Sequence, residues 1–250
     1  HRWDIYFEEN KYNYLPMRTF IIDNQDLVYS ISTDGISYFK NKLKLDVRKF
    51  RLARLGINKQ LKSFVNSSKK NIIISCSKII EVKRVDLIAR AIEKTSITDL
   101  TWVHFGDGKL YNELINYCDL NLKAKIKCIF MGHVSNSQVM NYYKNNNPSL
   151  FINLSSSEGV PVSIMEAMSY GIPVIATNVG GNAEIVNNKN GYIIDPNTSA
   201  DYISQIINGF FNLPQKELND MRNNSFTTWE NFYNAEKNYE DLCSSLRSFL

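Results

Sequence analysis

The chain has 250 residues, 44% of them hydrophobic, and a formal net charge of +4. This length and composition can fill one large or two small cores, and no run of eighteen apolar residues occurs, so we expect an ordinary soluble globular protein and exclude a membrane-spanning one. The first residue is His1, with no apolar signal region behind it, which predicts that the sequence starts at a cut.

The cysteines show no pattern of a metal site or a disulfide framework. The four residues are Cys76, Cys118, Cys128 and Cys243, without Cys-x-x-Cys spacing or a nearby pair of histidines. We therefore predict free thiols and a reducing, cytoplasmic compartment.

Charge is distributed unevenly along the chain. Residues 1–70 contain 14 Lys and Arg against 7 Asp and Glu, a net +7, whereas the rest of the chain has a net charge of −3. The excess suggests an anionic neighbour for the first part, although a lysine-rich solvated surface explains it equally well.

The first 70 residues contain few predicted elements. One apolar stretch at 26–31 is typical of a strand, and a helical stretch at 34–44 follows three polar capping residues. These elements are too few to close a core alone. Because the polar sequence "NSSKKN" precedes a much more regular pattern, we place a domain boundary near residue 68.

From residue 71 onward, short β-branched runs alternate with longer stretches of helical period. Strands are predicted at 71–77, 100–105, 126–131, 149–154, 172–177 and 191–195, and helices at 83–94, 109–121, 135–146, 162–170, 182–187, 199–212, 214–224 and 228–249. Apolar strands separated by helices favour an α/β fold with a doubly wound, Rossmann-like parallel sheet of about six strands, covered by helices on both faces.

Two glutamates, Glu158 and Glu166, flank the start of the helix predicted at 162–170. Pro161 suits the first helical position, and Gly171 suits a left-handed position at the end. Glu158 is therefore expected in the turn before the helix and Glu166 inside it.

The turn before this helix follows the carboxyl end of a predicted strand, where open parallel sheets bind ligands. Helix amides suit phosphates, and carboxylates accept hydrogen bonds from paired sugar hydroxyls, so a sugar–phosphate compound fits the site. The simpler interpretation is that both glutamates are solvated helix charges. The glycines and prolines at two successive turns favour the binding site, because they let the backbone approach a ligand closely.

Basic residues follow the first strand of the regular pattern. Lys78 and Lys83, with Arg84 beside them, can reach the same crevice and neutralise a diphosphate, although such residues are often merely solvated. Gly106 and Gly108 follow the next strand, but Tyr111 occupies the third position of a dinucleotide fingerprint, so a tight turn is the better interpretation and a nicotinamide dehydrogenase is disfavoured.

The stretch "EGVPVSIMEAMSYGIPVIATNVGGNAEIV", residues 158–186, resembles the two-glutamate signature of the retaining GT-B glycosyltransferases of family four, the glycosyl transferases group 1. The stretches "SCSKIIEVKRVDLIARAI", "HFGDGKLYNELI" and "IFMGHVSNSQVMNYYKNNNPSLFINLS" are similar to other units of that family in the same order. Residues 1–65 resemble only the end of its N-terminal domain. The resemblance thus implies an N-terminal remnant at 1–68 and a nucleotide-sugar-binding domain, the C-terminal half of a GT-B fold, at 69–250.

The same resemblance implies roles for particular residues. Glu166 would bind the ribose of the donor, Glu158 the hydroxyls of the transferred sugar, and Lys78 and Lys83 its diphosphate. The donor-binding residues would also include Gly159, Val160, Pro161 and Val162 near the helix start and Gly132, His133 and Val134 beside the base. Lys78 stands where the family usually has Arg, Arg84 where it usually has Gly, and His1 matches a histidine near the sugar.

The implied activity is transfer of a sugar from a UDP- or GDP-sugar to a saccharide or lipid-linked acceptor with retention, in surface polysaccharide synthesis. Glu158, Lys83 and Lys78 would be catalytic. No Asp-x-Asp occurs, so we predict independence of metals and other cofactors. The basic first segment suggests peripheral contact with an anionic membrane, and nucleic acid is not expected as a partner. The alternatives are a donor-binding fragment or noncatalytic subunit that transfers poorly alone, and a sugar-nucleotide epimerase, which the glutamate motif disfavours.

Overall fold

A computed structural model describes residues 5–7, 10, 12–43, 45–59 and 71–248. Its main sheet has six parallel strands in the order β5-β4-β3-β6-β7-β8. These strands are β3 (Asn71–Cys76), β4 (Leu100–Phe105), β5 (Ile126–Phe130), β6 (Leu150–Asn153), β7 (Val174–Thr177) and β8 (Gly191–Ile194). The predicted doubly wound α/β fold is confirmed, and every predicted strand of the sheet is present.

Helices cover both faces of this sheet. They are α3 (Val85–Glu93), α4 (Tyr111–Asn121), α5 (Asn136–Asn146), α6 (Val162–Ser169), α7 (Asn182–Ile185), α8 (Ala200–Phe211), α9 (Gln215–Phe232) and α10 (Ala235–Arg247). One face packs on α3, α4 and α8 through Ile73, Trp102, Leu150, Ile152 and Ile175. The opposite face packs on α5, α6 and α9 through Ile74, Val103, Phe151, Val174 and Ala176. Alternate residues of a strand point to opposite faces, so strands buried on both sides must be apolar throughout.

The last two helices divide at a different place from the one predicted. Helices were expected at 214–224 and 228–249, but α9 runs without interruption to Phe232, and the break lies at Tyr233. Thr228 donates its hydroxyl to the Asn224 carbonyl at 2.8 Å, which satisfies this polar side chain within the helix. The helix α10 begins after Asn234, whose side chain accepts a hydrogen bond from the Glu236 N–H at 3.0 Å.

The first segment has a small fold of its own. Helix α1 (Arg18–Asp23), strand β1 (Val28–Ser30), helix α2 (Thr33–Leu43) and strand β2 (Phe50–Leu52) surround a few buried apolar side chains, with β1 and β2 paired in parallel. The prediction of a single strand here was wrong, because β2 is a second one. It gives little signal in the sequence, since it has only three residues and its central Arg51 is exposed. The predicted boundary near residue 68 and His1 both lie outside the described residues.

A glutamate of the second part caps helix α2 of the first. The Glu184 carboxylate accepts hydrogen bonds from the N–H groups of Thr33 at 3.1 Å and Asp34 at 2.9 Å. The Ser32 hydroxyl accepts a third, from the Gly35 N–H at 3.0 Å. Three of the N–H groups that a helix start leaves without intrahelical partners are thus satisfied, two of them by a residue about 150 positions away.

The two parts also meet beside α10. The Ile57 N–H donates to the Tyr233 carbonyl at 2.8 Å, and the Ala235 N–H donates to the Ile57 carbonyl at 3.2 Å. Farther along α10, the hydroxyls of Tyr29 and Ser245 lie 2.9 Å apart. The last helix therefore contacts the N-terminal segment as well as the sheet domain.

A chain of buried hydrogen bonds fixes the carboxyl end of β3. Trp102 Nε1 donates to Ser75 Oγ at 2.9 Å, Ser75 Oγ lies 2.8 Å from His104 Nδ1, and His104 Nε2 lies 3.1 Å from the Ser77 carbonyl. Burial lowers the pKa of His104 to about 4, so the ring is neutral at pH 7 and can accept at Nδ1 while it donates from Nε2. The loop after β3 consequently leaves the sheet from a rigid point.

Candidate functional site

The strand order changes direction between β3 and β6. From β3 the chain winds outward through β4 and β5, and it then returns to β6, on the other side of β3. Open α/β sheets bind ligands at the carboxyl ends of the strands at such a switch point. The segments that follow β3 and β6 carry the predicted lysines and glutamates, so the topology brings both groups to one crevice.

Glu158 is buried in this crevice, with 8% of its surface exposed. Its Oε1 accepts hydrogen bonds from Lys83 Nζ at 2.7 Å, Ser155 Oγ at 2.6 Å and Asn153 Nδ2 at 3.1 Å. A buried carboxylate is tolerated where it is both paired and hydrogen-bonded, and these donors supply both conditions. The interpretation of Glu158 as a solvated helix charge does not fit this geometry.

The two predicted lysines differ in position. Lys83 ends a short 3₁₀ turn (Glu81–Lys83) and reaches Glu158, while the Ser156 N–H donates to the Val82 carbonyl at 2.8 Å and ties the two segments together. The Lys78 side chain is exposed and makes no hydrogen bond or ion pair within the described part of the chain. The structure thus joins Lys83, but not Lys78, to the glutamate.

Arg84, beside Lys83, binds backbone carbonyls. It has φ 46°, a left-handed conformation that costs a residue other than glycine about 1–2 kcal/mol. Its Nε donates to the Leu154 carbonyl and its Nη1 to the Pro196 carbonyl, both at 2.6 Å, which links the loops after β6 and β8. Burial lowers the pKa of the guanidinium. A positive φ suits glycine, the residue that the family resemblance implies at this position, and the two contacts of Arg84 join the loops.

The start of α6 follows the loop that carries Glu158. The helix begins at Val162, so the prediction that Pro161 occupies the first helical position was wrong: Pro161 precedes the helix with ψ 112°, and its own side chain forms no capping hydrogen bond. The Gly181 N–H donates to the Gly159 carbonyl at 2.7 Å, and a Cβ on Gly181 would lie 2.8 Å from that oxygen. The glycine therefore allows the turn before α7 to support the loop that carries Glu158.

Glu166 lies inside α6, as predicted, and is also 8% exposed. Its Oε1 accepts a hydrogen bond from Asn136 Nδ2 at 2.6 Å. Burial raises the pKa of Glu166, and the bond from Asn136 opposes that rise. The same carboxylate adds to the effect of burial at Cys76, whose pKa is raised to about 12. Glu158 and Glu166 are therefore held by different partners.

The predicted base-binding residues form the turn after β5. Gly132 has φ 64°, and its carbonyl accepts a hydrogen bond from the Gly106 N–H at 2.9 Å, which joins the loops after β4 and β5. His133 is exposed and Val134 is partly buried. A Cβ on Gly106 would lie 1.9 Å from the Ser77 carbonyl. Close packing of the loop after β4 against the loop after β3 therefore requires glycine here, in agreement with the tight-turn interpretation.

Sequence reasoning missed several residues of the site. Asn153 and Ser155 donate to Glu158, and Asn136 donates to Glu166. A signal existed for Asn153, because an asparagine that ends an otherwise apolar strand beside a ligand loop must find a polar partner. Asn136 gave no such signal, since it precedes Glu166 by 30 positions and belongs to another helix.

Two kinds of feature are absent from the described residues. Within 5–7, 10, 12–43, 45–59 and 71–248, no three His, Cys, Asp or Glu side chains are grouped so that they could hold a metal ion. In the same part of the chain, no helix has both the length and the apolar character needed to cross a membrane.

A family model described as "Glycosyl transferases group 1" matches residues 57–228. The UDP-N-acetylglucosamine–peptide N-acetylglucosaminyltransferase GtfA subunit of Streptococcus agalactiae is 26% identical over 83% of this chain and 40% of its own length. A galactosyltransferase of Escherichia coli, named as UDP-Gal:alpha-D-GlcNAc-diphosphoundecaprenol alpha-1,3-galactosyltransferase, is 32% identical over 60% of this chain and 38% of its own length. The chain thus spans well under half of either relative.

Solved structures match at the level of the fold. Anabaena Alr3699/HepE in complex with UDP has a TM-score of 0.77 at 20% identity, over 92% of this chain and 66% of that one. The pneumococcal O-GlcNAc transferase GtfA in complex with UDP and GlcNAc has a TM-score of 0.75 at 22% identity, over 94% of this chain and 47% of that one. Both similarities extend across the described segments before and after residues 60–70.

Proposed function

The chain belongs to the glycosyl transferases group 1 family, and on this basis we propose that its crevice between β3 and β6 binds the nucleotide-sugar donor of a retaining glycosyltransferase. The observation that carries the proposal is the ion pair of Lys83 with the buried Glu158 at the switch point, with the second glutamate, Glu166, inside the helix that follows. A UDP-sugar is the first choice of donor, because the names of the similar proteins specify UDP compounds.

The proposed reaction uses Lys83 and the start of α6 to stabilise the departing diphosphate. An ammonium group is a compact positive charge, and the helix start adds backbone N–H groups and the positive end of the helix dipole. Lys78, which is exposed at the same edge of the sheet, supplies a second charge once the donor is bound. These groups stabilise the charge that develops on the leaving group, so a metal ion is not required.

Glu158 positions the transferred sugar in this proposal. Its carboxylate is already oriented by Lys83, Asn153 and Ser155, so little reorganisation is needed when the sugar hydroxyls bind and the anomeric carbon gains positive character. Glu166 accepts hydrogen bonds from the ribose, and Gly132, His133 and Val134 contact the base. Retention at the anomeric carbon completes the proposed reaction, with a saccharide or lipid-linked acceptor.

Calorimetric titration with UDP-, GDP- and ADP-sugars tests the donor site. We expect one nucleotide class to bind the folded chain, and Glu166→Ala to weaken that binding by about tenfold or more, as loss of hydrogen bonds to a charged group does. Absence of binding by any donor to the folded chain would contradict the proposal. NMR of the product formed with a lipid-linked saccharide acceptor would give the anomeric configuration, and inversion would refute retention.

A donor-binding module is the second candidate, because the chain spans only 38–40% of its two relatives. It predicts donor binding without transfer by the chain alone, and transfer after addition of a partner chain. Peripheral contact of the basic first segment with an anionic membrane on the cytoplasmic side is also proposed. Flotation with anionic and neutral vesicles tests it, since electrostatic attachment requires a preference for the anionic ones.

A further inference from the structure

The carboxylate charges of the two buried glutamates, Glu158 and Glu166, are stabilised by different kinds of donor. Glu158 accepts from an ammonium group, whereas Glu166 accepts from the neutral amide of Asn136 and has no ion pair in the described part of the chain. A carboxylate has about four acceptor positions on its two oxygens. In this buried position Glu166 accepts one hydrogen bond within the described part of the chain, from Asn136, so it retains acceptor capacity for hydroxyl groups of a ligand.

Asn136 is held in place by the start of its own helix. It is the first residue of α5, directly after Ser135, whose N–H donates to Gln138 Oε1 at 2.9 Å while the Ser135 hydroxyl accepts from the Gln138 N–H at 3.4 Å. This reciprocal capping box fixes the backbone around Asn136. Asn136 itself is exposed, so its side chain belongs to the rim of the crevice and contributes little to the core.

The position of Asn136 in the chain links two parts of the donor site. It follows Val134, the end of the proposed base-binding turn, by two residues, and its amide reaches the proposed ribose-binding carboxylate at 2.6 Å. The turn and the carboxylate belong to different strand–helix units, and the hydrogen bond from Asn136 joins them. A rotation of the Glu166 side chain away from the ribose would break this bond.

We propose that Asn136 is a positioning residue that fixes the Glu166 carboxylate for a ribose diol, and that the pair thereby discriminates ribonucleotides from 2′-deoxyribonucleotides. The proposal rests on the proposed donor site. A buried acceptor fixed in one orientation rejects an analogue that lacks the matching hydroxyl much more strongly than a mobile acceptor does, because its hydrogen bond is then left unmade.

Titration with UDP and 2′-deoxy-UDP tests this role in three variants. We expect the parent chain to bind UDP more tightly than 2′-deoxy-UDP. Asn136→Ala should weaken UDP binding by about tenfold with little effect on 2′-deoxy-UDP, so that the ratio of the two affinities falls toward one. Asn136→Asp keeps the shape of the side chain but has no N–H donor, and we expect it to lose at least as much. Asn121→Ala removes the amide of another exposed asparagine, bonded to the Tyr117 carbonyl at 2.8 Å, and should change neither affinity.

The outcomes separate this inference from the donor site itself. If Glu166→Ala removes the preference for UDP while both Asn136 variants retain it, Asn136 has no positioning role but the donor site stands. If Asn136→Asp binds like the parent, shape rather than the amide donor matters, which also overturns the inference. If neither Glu166→Ala nor Asn136→Ala changes UDP binding, or if no UDP, GDP or ADP nucleotide binds the parent, the donor site is wrongly assigned.

Discussion

The pair of Lys83 and Glu158 allows a quantitative test of the buried site. At an N–O distance of 2.7 Å and an effective dielectric constant near 20, the attraction is about 6 kcal/mol before desolvation is counted. The Lys83 and Glu158 side chains are 24% and 9% exposed. The cost of disrupting their pair should therefore lie between that of exposed pairs, about 0.2–1 kcal/mol, and that of buried pairs, about 3–5 kcal/mol. Ser155 and Asn153 still donate to Glu158 when the lysine is gone.

We therefore expect Lys83→Met to lower the free energy of unfolding by about 2 kcal/mol, and the melting temperature by roughly 4–8 °C for a chain of this size. Methionine retains much of the apolar stem, so the change mainly removes the charge. Thermal unfolding followed by far-ultraviolet circular dichroism at pH 7 measures the effect. In Lys83→Met/Glu158→Gln, the second substitution should restore part of the loss, because the uncompensated carboxylate is then absent.

Lys94→Met provides a matched control. Lys94 and Asp201 form an ion pair of nearly the same length, 2.8 Å, but their side chains are 44% and 68% exposed. Water screens such a pair, so we expect no resolved change in melting temperature. Equal losses in Lys83→Met and Lys94→Met, or fully additive effects of the substitutions at 83 and 158, would refute the reasoning from burial.

Three further predictions concern Glu166, the supporting turn and metal ions. Burial raises the pKa of Glu166 above its ordinary value of 4.5, so the folded chain binds the proton more tightly than the unfolded chain and loses stability as pH rises through this range. The gain in melting temperature from Glu166→Gln should therefore grow between pH 4 and pH 8, and a gain independent of pH would contradict the assignment. Gly181→Ala should destabilise the chain by about 1–3 kcal/mol and weaken UDP binding, whereas Gly209→Ala, in a helix with open space around it, should stabilise it by about 0.5–1 kcal/mol in the same denaturation experiment. EDTA should leave UDP-sugar affinity unchanged within about twofold by calorimetry, and a larger loss would show that a metal ion carries part of the phosphate charge.

The main sheet was predictable from the sequence because its strands are apolar on both faces. All six strands lie within two residues of their predicted positions, and the turn residues around α6 placed Glu158 before the helix and Glu166 inside it. Strand β2 was missed because three residues, one of them an exposed arginine, give no periodic signal. The division between α9 and α10 was misplaced because Ser225 and Thr227 resemble a break in isolation, although the helix continues through them with Phe226 and Trp229 buried.

The contacts of the site were less predictable than its position. Lys83, Lys78 and Arg84 are similar in charge and sequence context, yet one pairs with Glu158, one is exposed and one binds two carbonyls. These differences depend on side-chain directions that a single sequence does not encode locally. The bond between Asn136 and Glu166 likewise depends on how two helices meet across the edge of the sheet.

The cap that Glu184 provides for α2 limits how such proteins can be recombined. The helix obtains two of its first hydrogen bonds from Glu184, a side chain of α7 that lies three residues after Gly181. Loss of a helix cap costs about 0.5–2 kcal/mol, so a chimera that joined this N-terminal segment to a sheet domain without an acid at that place would begin with a frayed helix at the junction. Compatible halves must therefore match at the start of α2 and at α7, two short segments that are far apart in sequence.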